Sequence, residues 1–163
     1  MEHAANAPAW ALALMESGLG LAIRHSLWIY PAANVLHVIG VALLVGPIIA
    51  LDLRFLGFAR TLPIKAVSRF LTPVAITGVC LLVPAGLTLF IADAGPLAGN
   101  RILQIKLSLV ALGLVNAVAF RLLWTRRISR WDTQAPALGR AQVVASIAIW
   151  LSVPTLGRLL AYL

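Results

Sequence analysis

Four long apolar stretches, separated by short polar connections, dominate the pattern of this chain. They run from about residue 27 to 51, 70 to 92, 101 to 124 and 143 to 163. A helix needs about 20 apolar residues to cross the hydrocarbon core of a bilayer, and each stretch is long enough. The pattern therefore predicts an all-α integral membrane protein, a four-helix bundle that forms one domain over residues 1–163.

The segment before the first apolar stretch has a different character. Residues 8–23 are apolar, but Glu16 interrupts them and the run is too short to span a bilayer. We predict an interfacial amphipathic helix that lies along the outer surface of the membrane, with Glu16 facing water. A fifth, partial span is the alternative. Interfacial aromatic belts are expected near the predicted span ends, at Trp10, Trp28, Tyr30 and Trp124.

The composition agrees with a membrane protein and excludes a soluble one. Apolar residues make up 61% of the chain, charged residues make up 11%, and the mean hydropathy is +0.97. A soluble domain has about a quarter of its residues charged. This chain therefore has too little polar surface to cover a water-soluble globule.

The charges are distributed unevenly among the connections. The chain has 13 Lys and Arg against 5 Asp and Glu. The connection between the second and third stretches has Asp93 and no basic residue. The first connection contains Arg54, Arg60, Lys65 and Arg69 against Asp52, and the last contains Arg126, Arg127, Arg130 and Arg140 against Asp132. Basic residues accumulate in cytoplasmic loops. We therefore expect a multi-pass protein of the bacterial inner membrane with both termini in the periplasm. No basic patch interleaved with aromatic residues lies outside the apolar stretches, so no nucleic-acid partner is expected.

One histidine lies deep in the first predicted span. His37 is ten residues into that span, or about 15 Å along a helix, which places it near the middle of the bilayer. Asn34 and Gly40 share its helix face, and Gly40 leaves room for a close helix or a flat ligand. Three interpretations stay open for His37: a neutral histidine bonded to a neighbouring helix, a ligand to haem iron, or a group in proton or quinone chemistry.

Two cations lie near the outer ends of the third and fourth spans. Lys106 and Arg158 are each about 8 Å inside the outer boundary, in the same layer as Tyr30 and Asn34. They either snorkel to the outer headgroups or line a pocket for an anionic group, such as a haem propionate, a quinone head group or a lipid phosphate. We hypothesise that His37 and Arg158 point into the bundle and line one cavity that opens toward the outer face.

Signs of other chemistry are few. His3 at the third position of the chain, with the terminal amine, offers a weak surface site for Cu(II) or Ni(II). The sequence has no phosphate-binding loop, no metalloprotease motif and no CxxC pair. All three histidines lie in the first 37 residues, so no Ser–His–acid set is in place. We expect no enzymatic activity.

The stretch SLWIYPAANVLHVIGVALLVGPIIALDLRFLG resembles a small bacterial family of four-helix integral membrane proteins of unknown function. In that family a W-x-Y-P turn leads into a span with a central histidine, which ends in D-L-R-x-L-G. The likeness continues through RTLPIKAVSRFLTPVAITG to GRLLAYL and covers about residues 20–163. A looser similarity links the span with His37 to D-type copper-resistance membrane proteins and small b-type cytochromes. Family members often have a histidine after an Asn-x-x-x-Phe motif in the third span, where this chain has Arg121. A haem held by such a histidine pair would lack its second ligand here.

Two main hypotheses of function follow. The first is a non-catalytic protein, a scaffold or accessory subunit of a larger membrane assembly, whose partners are the lipid bilayer and other membrane subunits or a second copy of the chain. The second is a haem b or quinone-binding electron-transfer protein that uses His37. A six-coordinate haem needs two axial ligands, and the chain supplies one good one, which ranks this hypothesis below the first. A small transporter or channel ranks last, because four spans need oligomerisation to enclose a path.

Overall fold

The protein is described by a computed structural model of residues 7–160 and 162, with the backbone alone at Ser129. Four of its helices are long and apolar enough to cross a membrane. The helices in chain order are α1 (Ala9–Met15), α2 (Gly18–His25), α3 (Ile29–Leu56), α4 (Ile64–Ala92), α5 (Ala94–Ala98), α6 (Arg101–Trp124), a 3-10 helix (Thr125–Arg130), α7 (Trp131–Gln134) and α8 (Ala137–Leu159). The predicted all-helical chain with four long apolar helices is confirmed.

The bounds of the long helices agree only in part with the predicted spans. The predicted bounds of α6, 101–124, are correct. In contrast, α3 covers Ile29–Leu56 rather than 27–51, α4 begins at Ile64 rather than 70, and α8 covers Ala137–Leu159 rather than 143–163. The 28 residues of α3 are about 42 Å long, which exceeds the ~30 Å hydrocarbon core. At the basic loops, the predicted spans of α3, α4 and α8 stopped short of the charged residues, whereas these helices continue through them.

The two ends of the bundle carry different connections. We call the end with residues 57–63 and 125–136 the basic end, and the end with α1, α2 and α5 the opposite end. At the basic end, α3 stops at Gly57, whose φ of 104° is left-handed and suits glycine. The amides of residues 57 and 58 bond back to the carbonyls of Arg54 and Leu53. This cap turns the chain directly into the first basic connection.

The four long helices pack in a row. α4 packs on α3, α3 packs on α8, and α8 packs on α6, whereas α4 and α6 make almost no contact with each other. Two glycines bring α3 and α4 together: a Cβ on Gly40 would lie 2.8 Å from the Leu82 amide nitrogen, and one on Gly78 would lie 2.5 Å from that of Leu44. Gly40 thus admits a close helix. The first and last helices of this row, α4 and α6, do not pack on each other, so a gap remains between them.

The N-terminal segment forms two short helices rather than the single helix predicted over residues 8–23. The break falls at Glu16 and Ser17, where the Ser17 hydroxyl accepts a hydrogen bond from the Gly20 amide at 3.2 Å and caps α2. Glu16 is exposed, whereas Ala11 is fully buried where α1 packs on α5. At 7 and 8 residues, neither helix is long enough to span a bilayer. That the segment lies on the outer membrane surface stays a prediction.

Candidate functional site

His37 lies in the interface between α3 and α4. The side chain is half-buried, and a Cβ on Gly86 of α4 would lie 3.2 Å from its Cε1 and 3.3 Å from its Nδ1. Gly86 therefore makes the space that the ring occupies. The Nδ1 atom is buried and has no hydrogen-bond partner among the described residues. The His37 ring thus faces a neighbouring helix, as does Gly40 of the same predicted face.

Lys106 reaches from α6 to α8. The side chain is half-buried, and a Cβ on Gly157 of α8 would lie 3.2 Å from its Nζ. Over the described part of the chain, no hydrogen bond or ion pair holds that ammonium. Lys106 on α6 and His37 on α3 thus both lie half-buried in the opposite half of the bundle.

The other predicted members of this group have different neighbours. The Tyr30 hydroxyl donates a hydrogen bond to Asp93 Oδ2 at 2.8 Å and ties the start of α3 to the end of α4. Asn34 is exposed. Arg158 is exposed too: its Nη2 donates to the Tyr162 hydroxyl at 2.6 Å, and its guanidinium lies 4.8 Å from the centre of that ring. The structure therefore does not place Arg158 inside the bundle beside His37, because Tyr162 holds it outside. That these residues bind a cofactor stays a prediction.

A haem at His37 would have one ligand from this part of the chain. His25 is exposed at the end of α2, and Met15 packs against Gly95 of α5. Among the described residues, no group of three or more His, Cys, Asp and Glu side chains is arranged to hold a metal ion. His3, proposed as a surface copper or nickel ligand, lies outside the described residues.

The basic end is built around a buried arginine. Arg54 is only 3% exposed, and its Nη1 and Nη2 donate to the two carboxylate oxygens of Asp132, both at 2.8 Å. Its Nε donates to the Leu62 carbonyl at 2.8 Å, and Nη2 also lies 3.4 Å from the Arg60 carbonyl oxygen. A planar guanidinium suits this bidentate geometry. We call this arrangement the Arg54 clamp, and it joins the two basic connections.

The clamp changes the acidity of its carboxylate. Asp132 lies in α7, between the long helices, and the Arg54 guanidinium bonded to it lowers the pKa of its carboxyl below the ordinary value. The positive charge and the two hydrogen bonds both favour the ionised form. The carboxylate is 44% exposed, so water and salt screen the pair from that side.

Aromatic rings pack directly beneath the clamp. Trp131 is 1% exposed, and its Nε1 donates to the Phe55 carbonyl at 2.9 Å. Its ring meets those of Phe55, Phe120 and Trp124 with centroids 5.2, 5.3 and 6.1 Å away, close to edge-on. Trp124 was expected in an interfacial belt, but it is buried and donates to Gln142 Oε1 at 2.6 Å. Trp10 and Trp28 are exposed at the opposite end.

A cavity of about 280 Å³ occupies the gap between α4 and α6, in the half of the bundle nearer the basic end. Asp52 of α3 and Ser146 of α8 line it, and both are buried. Asn116 of α6 donates a hydrogen bond to the Gln142 carbonyl at 3.2 Å, and both residues reach the same cavity. Polar side chains from three helices therefore meet at one place.

Sequence reasoning missed this second group because it counted Asp52 as a loop residue. One signal was present. Asp52 and Arg54 are two positions apart, about 200° around a helix, so they leave α3 on different sides. In a helix that continues past residue 51, one of these side chains points toward the bundle and the other toward the connections.

Comparison of the chain with protein-family models, with curated proteins and with solved structures finds no match.

Proposed function

We propose that this protein is a non-catalytic membrane subunit that presents a preformed basic face to an acidic surface of a partner subunit. The Arg54 clamp is the observation that carries the proposal. It joins the two basic connections through Asp132, and the buried ring of Trp131 fixes the same join to the end of α3. Two loops that carry most of the charge thus form one unit rather than two independent segments.

The remaining basic residues at this end are free to face a partner. Besides Arg121, which donates to Thr72, seven of them are exposed: Arg60, Lys65, Arg69, Arg126, Arg127, Arg130 and Arg140. The two acidic residues nearby are engaged elsewhere, since Asp132 bonds to Arg54 and Asp52 is buried. The face is therefore strongly positive. Complementary charge steers association and suppresses wrong partners. With the orientation that the loop charges predict, this face lies on the cytoplasmic side of the inner membrane.

A charge-removal experiment tests the proposal. Lys65, Arg126 and Arg140 are exposed, and no described hydrogen bond from their side chains supports the fold. We expect wild-type protein, extracted from its own membrane in a mild detergent, to run as an assembly larger than one 17.4 kDa chain. The triple Gln variant should run mainly as the single chain, because rim charges set association.

The matched control is Arg101→Gln, which removes an exposed charge at the opposite end. It should leave the assembly intact. A reporter fusion must place the basic loops on the same side in wild type and variant, since loop charge also sets topology. A single-chain wild type in native extracts, or an assembly that survives the triple change, contradicts the proposal.

A second candidate function, an electron-transfer protein with haem or a quinone at His37, rests on one observation. The Nδ1 of His37 is buried without a partner in the described chain, and the cationic Lys106 lies in the same half of the bundle. Such a histidine can hold one side of a haem iron, and the cation can meet an anionic group. The haem would be five-coordinate or shared with a second copy of the chain.

The visible spectrum of the purified protein, oxidised and reduced, tests the haem form of this candidate. A Soret band that His37→Gln removes and His25→Gln retains would support it. A colourless wild-type preparation from haem-replete cells would refute the haem assignment.

A further inference from the structure

The cavity between α4 and α6 opens sideways out of the bundle. Its walls are apolar, with Leu71, Ala75, Ile76 and Val79 from α4 and Leu114 and Val118 from α6. Ile76 and Val118 stand on opposite walls and are 55% and 59% exposed. The mouth therefore lies between them, on the surface that faces lipid when the helices cross a membrane. A molecule dissolved in the bilayer has direct access to this cavity.

The floor of the cavity holds an acid whose hydrogen bonding is incomplete. Asp52 is 8% exposed, and its Oδ2 is buried without a hydrogen-bond partner in the described chain. The buried Ser146 of α8 lines the same cavity. Arg54, two residues later, is committed to Asp132. A buried carboxyl with incomplete hydrogen bonding is unfavourable. Asp52 lines the cavity, so a ligand hydroxyl placed there can supply its carboxyl with a further hydrogen bond.

The size of the cavity and its rim narrow the choice of ligand. A cavity of about 150 Å³ is known to take up benzene, so 280 Å³ accommodates a substituted ring. A hydroxyl can donate to a carboxylate or accept from a carboxylic acid, so it pairs with Asp52 in either form. At the rim, Arg121 Nη2 donates to Thr72 Oγ1 at 3.3 Å and bridges α6 and α4. That guanidinium disfavours a cationic head group.

We propose that this groove binds an alkylated phenol from the membrane. The ring occupies the cavity, its hydroxyl bonds to Asp52, and its apolar chain leaves between Ile76 and Val118 into the lipid. The site is separate from His37 and from the seven exposed basic residues of the proposed partner face, so it goes beyond the proposed function and stands or falls without it.

A matched pair of ligands tests the hydroxyl. The probe is 4-nonylphenol, and the control is its methyl ether, which has the same ring and chain but no donor. The unfolding temperature of the purified protein in mild detergent is followed by tryptophan fluorescence. A ligand that binds only the folded state raises this temperature in a saturable way. We expect the phenol to raise it and the ether to have little effect. Equal shifts, or no shift with the phenol, overturn the proposal.

Variants locate the binding. Asp52→Leu removes the carboxyl at similar size, and we expect it to weaken phenol binding about tenfold or more, as loss of a hydrogen bond to a buried acid predicts. Ala75→Phe fills the groove from α4, keeps the Asp52 carboxyl in place and should abolish the shift. The control is Val83→Phe, on an exposed position of α4 outside the groove, which should retain it. Binding that survives both groove variants, or dodecyltrimethylammonium binding more tightly than the phenol, refutes the assignment.

Discussion

Arg54 and Lys106 show how differently the two ends of this bundle treat a cation within a long helix. Arg54 is buried at the basic end, and all three of its nitrogens donate to Asp132 or to backbone carbonyls. Lys106 is half-buried toward the opposite end, where it lies against Gly157 without a described partner. Arginine offers a fixed planar fork, whereas lysine is a point charge on a flexible stem. Arg54 therefore joins two connections of the fold, whereas the ammonium of Lys106 remains available to bind an anionic group.

The surroundings of the two cations differ in the same way. The buried residues Phe55, Ile64, Trp124, Trp131 and Val143 form a core cluster next to the clamp. Toward the opposite end the buried residues are mostly small, such as Ala11, Ala92 and Ala94, and the packing includes the stack of Trp10 on Phe90. The stability of the fold should therefore concentrate at the basic end, while loosely held polar groups remain in the opposite half.

The largest test of this contrast replaces one tryptophan at each end with alanine. Trp131 is 1% exposed and Trp28 is 81% exposed. We expect Trp131→Ala to lower the free energy of unfolding by about 3–5 kcal/mol, because it empties a packed site and removes a hydrogen bond. Trp28→Ala should change it by no more than about 0.5 kcal/mol. Unfolding in mixed detergent micelles measures both. Similar losses at the two positions would abolish the contrast.

The next test removes one carboxylate charge at each end. Asp132→Asn leaves the buried Arg54 guanidinium without its counter-charge, and we expect a loss of about 2 kcal/mol after allowance for the exposed side of the pair. Asp93→Asn keeps an oxygen that can accept from Tyr30, so its loss should be about 0.5 kcal/mol. A larger loss at Asp93 would show that the opposite end is held as firmly as the basic end.

Lowering the pH tests the contribution of the Asp132 charge to the stability of the basic end. Arg54 lowers the pKa of Asp132 in the folded protein, so the pair stabilises the fold above the ordinary pKa of an aspartate, about 4. That contribution is lost as the pH falls through the lowered pKa. The gap in unfolding temperature between wild type and Asp132→Asn should therefore shrink on acidification. A gap that stays constant to low pH would mean that the charge of Asp132 is not what the clamp uses.

The sequence predicted those features that depend on neighbouring residues alone. Hydropathy over about 20 residues identified the four long helices, and the predicted limits of α6 agree with its bounds, at a start that Asn100 caps and an end that the basic segment 125–130 follows. The small-residue face around His37 predicted close packing on another helix. These patterns repeat within one helix, so they can be read along the chain.

Features that join distant positions were not predicted. Arg54 and Asp132 are 78 positions apart, and nothing near either residue indicates the other. Trp131 follows a run of arginines and resembles a surface residue in sequence, yet it is buried by Phe55 and Phe120. Asp52 was assigned to a loop because a charge normally ends an apolar span. In the structure α3 continues past Asp52, and the row of helices leaves a cavity that Asp52 lines.

The smallest expected effect comes from two glycine-to-alanine substitutions in the long helices. Alanine in place of a helix glycine reduces the entropy lost on folding, a gain of about 0.5–1 kcal/mol where nothing obstructs the new methyl group. Gly46 has open space around it, so Gly46→Ala should show this gain in unfolding free energy. At Gly157 the new methyl group meets Lys106 Nζ at 3.2 Å, which is tight contact with the end of a flexible side chain.

If Lys106 is free, as the structure indicates, it moves aside and Gly157→Ala gains about 0.5 kcal/mol, a little less than Gly46→Ala. A loss at Gly157 beside a gain at Gly46 would mean that the ammonium is pinned by a group outside the described residues, such as a bound anion. Adding Lys106→Met separates the causes, because a shorter uncharged side chain removes both the contact and the anion. Recovery of the gain in the double variant would show that Lys106 binds an anion at the opposite end. Arg54 and Lys106 would then differ in their partners: Arg54 has a permanent one in Asp132, and Lys106 has an exchangeable one.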